Sequence, residues 1–261
     1  MSFWIAIVLG LVQGLTEFLP VSSSGHLTYF ELLFGFEQGT VFYNIVLHVA
    51  TLLALVVVMW KDFVWIFKNP LSKHVRCLLL ATLLTGVIGL AIDQVWGASG
   101  SLLMIAIGFV ITGILLLVLN FYAKKRINTS AVGYSQAAIV GIVQGIAVLP
   151  GLSRSGSTLV AGVLSGASQE ESAKFSFLLS FPVILVGTIY EIYKGSKLGF
   201  GFAQSDVLPM ILGFVVAFVS AVLTLKFMLS IVRKNKWIWF AAYLFVFAIL
   251  IFVFGSINGV L

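Results

Sequence analysis

Three ionisable side chains, Glu17, His26 and Arg154, sit inside apolar stretches beside clusters of Ser, Gly and Pro. An ionisable group at membrane depth is expensive, so each is a functional candidate by default. Arg154 is flanked by Ser153 and Ser155, and His26 follows Ser22-Ser23-Ser24-Gly25. A guanidinium fork, hydroxyls and the free N–H groups of helix N-termini are together what a phosphate group binds. Glu17 would repel that anion unless it holds a divalent cation or accepts a proton. Gln13 lies one helical turn before Glu17, so the two can turn oxygen ligands toward a hard ion such as Mg²⁺ or Ca²⁺. Such an ion neutralises charge developing during phosphoryl transfer. His26 could serve near neutral pH as nucleophile, general acid or general base. Gly151-Leu152-Ser153-Arg154-Ser155 lacks the closing Gly of a G-x-S-x-G elbow, which argues against a serine hydrolase.

The elements that must position these groups are membrane helices. Of 261 residues, 61% are hydrophobic and 9% charged, against about a quarter charged in a soluble domain. A span needs roughly 20 apolar residues. Six stretches supply that length: about Val41 to Trp60, Val75 to Val95, Leu102 to Tyr122, Ser172 to Tyr193, Val207 to Val232 and Trp237 to Phe254. Two regions, Ser2 to Phe34 and Tyr134 to Gly166, instead hold two short apolar pieces around a Pro, Ser and Gly cluster. Irregular backbone at membrane depth is tolerated only inside protein or beside a water-filled cavity, so both regions are expected to be re-entrant helix hairpins.

The two hairpin regions also resemble each other. Gly10-Leu11-Val12-Gln13-Gly14-Leu15 aligns with Gly141-Ile142-Val143-Gln144-Gly145-Ile146, and Ser22-Ser23-Ser24-Gly25 with Ser153-Arg154-Ser155-Gly156, at an offset of 131. This reads as an internal duplication, with repeat 1 near 1–123 and repeat 2 near 132–261 in a single membrane domain. The halves have diverged: Glu17 aligns with Val148, and Arg154 with Ser23. Basic residues in short loops mark the cytoplasmic side. Lys61, Lys68, Lys73 and Arg76, then Lys124, Lys125 and Arg126, then Lys174, then Arg233, Lys234 and Lys236 fall on one side if both hairpins re-enter. Lys194 and Lys197 alone fall on the other. The expected fold is therefore all-α and polytopic, with about six spans and two hairpins in an inverted-topology repeat meeting near the midplane.

The formal charge of +6 is spread singly or in threes between apolar stretches, which excludes a nucleic-acid-binding face. One cysteine, Cys77, allows neither an internal disulfide nor a thiolate metal site. No basic region precedes the first apolar run, which Gln13 and Glu17 interrupt, so it does not read as a cleavable signal. His48 reads as a helix-packing hydrogen bonder, and His74 sits beside Lys73 and Arg76. Asp93, Glu191 and Lys226 read as span-end or snorkelling groups, and Phe240, Phe245 and Phe247 as packing.

Two motifs give the sequence a specific resemblance. Gln13-Gly-Leu-Thr-Glu17-Phe-Leu-Pro20-Val-Ser22-Ser23-Ser24-Gly25-His26 and Pro150-Gly-Leu-Ser153-Arg154-Ser155-Gly-Ser-Thr158 resemble those of the undecaprenyl-diphosphate phosphatases of the bacitracin-resistance type, and the likeness covers essentially the whole chain. It implies a multi-pass hydrolase of the bacterial plasma membrane that removes the terminal phosphate of a C55 isoprenyl diphosphate. The monophosphate carrier is thereby regenerated for peptidoglycan synthesis, with divalent-metal dependence and bacitracin tolerance. On this reading Glu17, His26, Arg154 and Ser23 are catalytic; Ser22, Ser24, Gly25, Ser153, Ser155 and Thr158 bind substrate; and Glu17 and Gln13 hold Mg²⁺ or Ca²⁺. The site would open to the extracytoplasmic side, and the partners are the isoprenyl diphosphate and membrane lipid, a homodimer being compatible. Many members carry Glu where this chain has Gln13, a weaker ligand and no base. The rival reading is a carrier for a lipid phosphate, since broken helices in inverted repeats also build transporters; phosphate release separates the two.

Overall fold

The computed structural model describes residues 2–36, 40–96, 101–125, 130–198 and 206–260. Eleven α-helices run through them in the order α1 (Phe3–Thr16), α2 (Ser23–Leu33), α3 (Thr40–Val58), α4 (Trp60–Lys68), α5 (Lys73–Trp96), α6 (Leu102–Lys125), α7 (Tyr134–Ile146), α8 (Arg154–Leu164), α9 (Gln169–Leu198), α10 (Val207–Ile231) and α11 (Trp237–Asn258). No strand forms among the described residues, apart from a single bridge between Ser130 and Ala167. Six helices are long and apolar enough to cross a membrane, within Val41–Val58, Lys73–Val95, Leu102–Ala123, Gln169–Gly195, Val207–Lys234 and Trp237–Asn258. These are the six stretches read from the sequence, and the chain is a multi-pass membrane protein. Leu79, Leu83, Val87, Trp239, Val246 and Ile249 on their outer faces are exposed, as lipid-facing side chains must be.

Helix α4 is an element that the sequence reading missed, because its Trp60 continues the preceding apolar run. Its nine residues turn Phe63 inward, while Trp60, Trp65 and Phe67 stay exposed beside Lys61 and Lys68. Aromatic and basic side chains together on a short helix suit the membrane–water interface.

Each of the two broken regions forms a pair of helices too short to span. In the first, α1 and α2 have 14 and 11 residues. Pro20, which lacks an N–H and disfavours helix at the residue before it, interrupts the helix between them. The break ends at Ser22, whose φ of 67° is strained for a residue with a Cβ. In the second, α7 and α8 have 13 and 11 residues. Pro150 and Gly151 form that break, Gly151 with a φ of 81° that favours glycine.

Each hairpin packs on the opposite half of the chain. Helix α1 lies along α10, and α7 lies along α5. The same small-residue pattern allows both approaches: a methyl on Gly10 or Gly14 would overlap the Gly213 or Ala217 carbonyl, and one on Gly141 or Gly145 would overlap the Ala81 backbone or the Ile88 side chain. Small residues four apart let membrane helices come this close. Helices α3 and α9 also pair, as do α6 and α11. Exchanging the roles of the halves leaves this set of pairings unchanged. Ion pairs tie α9 at both ends, Lys174 to Asp62 at 2.5 Å and Arg233 to Glu170 at 2.7 Å near its start, and Lys194 to Asp93 at 2.7 Å near its finish.

Candidate active site

The breaks of the two hairpins touch. Ser155 Oγ donates to the Leu19 carbonyl at 2.9 Å, and Arg154 Nη2 donates to Glu17 Oε1 at 2.8 Å. The chain folds this way because each break frees backbone and hydroxyl groups that must find partners in an apolar interior. Ser153 caps α8 by accepting from the Gly156 N–H at 3.1 Å, and its own N–H donates to Thr112 Oγ1 at 3.1 Å. Arg154 is therefore the first residue of a helix, where the dipole favours a bound anion. Ser23 is the first residue of α2, whose N-cap Ser22 makes no side-chain capping bond.

Glu17 is the hub of the site. Its side chain is 4% exposed, whereas that of Arg154 is 30% exposed. While Oε1 faces Arg154, Oε2 accepts from Ser23 Oγ at 2.5 Å and from Gln13 Nε2 at 3.0 Å, and lies 3.9 Å from His48 Nε2. A pocket opens on the Arg154 side, lined by Glu17, Phe18, Gln144, Arg154, Ser155, Ser176, Phe177, Ser180 and Val183. Gln144, Arg154, Ser155, Ser176 and Ser180 give it a polar wall, and Phe18, Phe177 and Val183 an apolar one.

The remaining residues read from the sequence fall in three places. Ser22 and Ser24 lie in the first break, their hydroxyls 3.4 Å apart, and Gly25 is packed against Phe109. Ser153 is buried as the α8 cap, its hydroxyl 3.3 Å from that of Ser155. Thr158 donates to the Arg154 carbonyl at 2.7 Å and pairs with the Ser176 hydroxyl, so it braces the first turn of α8 against α9.

His26 stands apart from the pocket. Its Nδ1–H donates to the Ser22 carbonyl at 2.7 Å, and Tyr243 Oη donates to Nε2 at 2.7 Å. The ring stacks between aromatic neighbours, with centroids 4.4 Å from Phe247 and 5.0 Å from Phe109. Both nitrogens are thus occupied, and the ring anchors the serine turn to α11.

Sequence reasoning missed five neighbours of the site: His48, Tyr243, Gln144, Ser176 and Ser180. Gln144 was visible as the counterpart of Gln13 in the repeat. Ser176 and Ser180 carry a weaker signal, two hydroxyls four residues apart on an otherwise apolar helix face. His48 and Tyr243 carried none that separates them from packing.

The site also bears on a divalent cation. Gln13 is fully buried, and its Oε1 has no hydrogen-bond partner, although the same amide touches Glu17. An acceptor oxygen left open beside a carboxylate fits a cation. Among the described residues, however, no group of three or more His, Cys, Asp or Glu side chains could hold a metal. A hard ion takes six or more oxygens, so Gln13 and Glu17 by themselves would be only part of a shell.

A family profile described as bacitracin resistance protein BacA matches residues 6–250. The chain is 37% identical to the undecaprenyl-diphosphatase of Carboxydothermus hydrogenoformans, covering 97% of each chain. It is 40% identical to the undecaprenyl-diphosphatase of Treponema denticola, covering 94% of each. With that of Bacteroides fragilis strain YCH46 the identity is 39%, over 99% of this chain and 100% of the relative. A profile and relatives that run nearly end to end place the chain in the bacitracin resistance protein BacA family.

Proposed function

We infer that this chain hydrolyses undecaprenyl diphosphate to undecaprenyl phosphate and inorganic phosphate, the reaction named by its relatives. The observation that carries this at the site is the pairing of Glu17 with Arg154 across the two hairpins, beside a pocket with one polar and one apolar wall. Arg154, the α8 N-terminus and Ser155 would take the terminal phosphoryl group. Phe18, Phe177 and Val183 would receive the start of the isoprenyl chain.

Ser23 is the hydroxyl whose contact with a base suits attack on phosphorus. Its hydrogen bond to Glu17 Oε2 at 2.5 Å is the arrangement of a nucleophile and the base that takes its proton. Its proton would pass to Glu17, the bond from the terminal phosphorus to the bridging oxygen would break to release undecaprenyl phosphate, and water would then free inorganic phosphate from the seryl oxygen. Arg154, released from Glu17 as the substrate enters, would spread its N–H groups over the equatorial oxygens. His26 would contribute by fixing the Ser22 to Ser24 turn through the Ser22 carbonyl. Glu17 and Gln13 would hold Mg²⁺ or Ca²⁺ together with the phosphate oxygens. Such an ion, when bound, supplies neutralisation of the charge that builds on the diphosphate.

The orientation of the chain follows the basic loops. The first hairpin would enter from outside the plasma membrane and the second from the cytoplasm, with the pocket opening outward. The pairing of each hairpin with the opposite half supports an inverted repeat. Regeneration of the monophosphate would feed peptidoglycan synthesis and confer bacitracin tolerance.

The test is release of phosphate from a C55 isoprenyl diphosphate by the purified protein in detergent, with and without chelator. A carrier has no reason to hydrolyse its cargo, so a protein that binds the lipid and releases no phosphate would overturn the assignment.

A further inference from the structure

A diphosphate on an isoprenyl chain needs three successive places: one for the phosphoryl group that leaves, one for the phosphate that stays on the lipid, and one for the chain. The reading above puts the first at Arg154 and the third against Phe18, Phe177 and Val183. The middle place has no residues yet, and the pocket holds polar side chains on α7 and α9 that the reaction has not used.

Helix α9 lines the pocket with a single stripe. Ser176, Ser180 and Val183 stand at i, i+4 and i+7, so they share one face. Ser180 lies about 6 Å beyond Ser176 along the helix axis, and Val183 about 4.5 Å beyond Ser180. The Ser176 end is tied to the first turn of α8, because its hydroxyl pairs with that of Thr158, which donates to the Arg154 carbonyl at 2.7 Å. Polar groups therefore give way to apolar ones along α9 in the order of a diphosphate and its chain. Ser180 occupies the middle position. Its hydroxyl donates to the Phe177 carbonyl within its own turn at 2.7 Å, and rotation about one bond would redirect it to an anion.

A second observation comes from α7. Gln144 is buried in the pocket wall, and its Nε2 reaches Thr85 Oγ1 at 3.5 Å, the outer limit of a hydrogen bond. Gln13, with which it aligns, donates the same amide to Glu17 Oε2 at 3.0 Å. Four residues after Gln144 stands Val148, so α7 leads to no carboxylate. An amide with two N–H groups and one long bond keeps a donor for a ligand. Glu17, the one carboxylate in the lining, already faces Arg154. Neutral donors from two helices beside a guanidinium suit a second phosphate.

We propose that Ser180 and Gln144 bind the phosphate that stays on the lipid, and so recognise the monophosphate product as well as the diphosphate. The proposal rests on the assignment of Arg154 to the terminal phosphoryl group.

The test is equilibrium binding to the purified full chain in detergent, with undecaprenyl phosphate and undecaprenol as probes. The two share the chain, so the ratio of their affinities reads the phosphate alone. Wild type is expected to bind the phosphate about tenfold or more tightly than the alcohol, because hydrogen bonds to a charged group are the stronger kind. Gln144→Met with Ser180→Ala should remove most of that ratio, and Ser180→Ala alone should lower it about threefold. Arg154→Lys should keep it. Ser180→Ala deletes one half-buried hydroxyl, so it decides the matter even if the double variant fails to fold. A wild-type ratio near one, a ratio untouched by Ser180→Ala, or one that falls as far in Arg154→Lys would overturn the proposal. Phosphate release from the C55 diphosphate tests the reaction separately: release with any of those ratios leaves the hydrolase standing without this subsite. No release with the expected ratios would sink the hydrolase and keep the phosphate contacts.

Discussion

Arg154 Nη2 on the second hairpin stands 2.8 Å from Glu17 Oε1 on the first, although 137 positions separate them in sequence. The largely buried carboxylate relies on this guanidinium, and the more exposed guanidinium keeps its remaining N–H groups for another anion. The pair joins the two hairpins at their breaks.

Arg154→Lys keeps the charge and removes the planar fork. Arginines placed on a transferring phosphoryl group contribute on the order of 10³ or more in rate. The α8 N-terminus shares the load here, so a fall of roughly 10²–10³-fold is expected in phosphate release at saturating substrate, with unchanged expression and insertion. Wild-type turnover would remove Arg154 from the chemistry.

Glu17→Gln is expected to leave turnover near background. It also strips Arg154 of its counter-charge and Ser23 of a charged acceptor. Removing one partner of a buried pair costs about 3–5 kcal/mol, and the cost here should be lower because Arg154 is partly exposed. Thermal melting in detergent should therefore show a modest fall beside the loss of activity. Gln13→Glu should retain activity and bind metal more tightly by titration.

Tyr243→Phe removes the donor to His26 Nε2 and keeps the stacked ring. A loss of about 1 kcal/mol in stability and at most a few-fold change in turnover is expected. His26→Ala removes the ring that holds the Ser22 carbonyl, and turnover should fall by orders of magnitude. Equal damage from the two substitutions would assign Tyr243 to the reaction itself.

Gly14→Val places a side chain against the Ala217 carbonyl of α10. Overpacking of this kind costs about 1–3 kcal/mol. A lower melting temperature is expected, with reduced turnover because α1 carries Gln13 and leads into Glu17. Gly86→Val, where nothing lies within 4 Å of the added carbon, is the control and should do neither.

Gly35→Cys should react with an impermeant thiol reagent applied to intact cells, whereas Ser130→Cys should be shielded. Both positions lie among the described residues, while their neighbours 37–39 and 127–129 lie outside them. Labelling of both from the same face would refute the inverted orientation.

The sequence made the frame legible because bilayer crossing is written in composition: each of the six spans is a local run of apolar residues. Glu17 and Arg154 were legible for the opposite reason, as charges in places where charge is costly. The partners of these groups were not. Nothing within a turn or two of Tyr243 marks it as the donor to His26, 217 positions away. His48 on its apolar helix has the local pattern of a packing histidine, which its bond to the Asn44 carbonyl fits, and its approach to Glu17 depends on how α3 docks. The separation of His26 from the Glu17 pocket was equally hidden, because proximity in the motif says nothing about which way a ring turns. Helix α4 was concealed by Trp60, which extends the apolar run of α3.

The docking of α1 on α10 sets a clock on biogenesis. Gly10 closes against Gly213, and about 200 residues must be synthesised between the two. At about 5–20 residues per second, that takes roughly 10–40 s. Glu17 lacks Arg154 until 137 further residues are made, and α1 lacks α10 until the end of the interval, so the first hairpin is made well before the partners that bury it. A slowed ribosome lengthens that exposure, and the fraction of chains degraded before completion should rise with it.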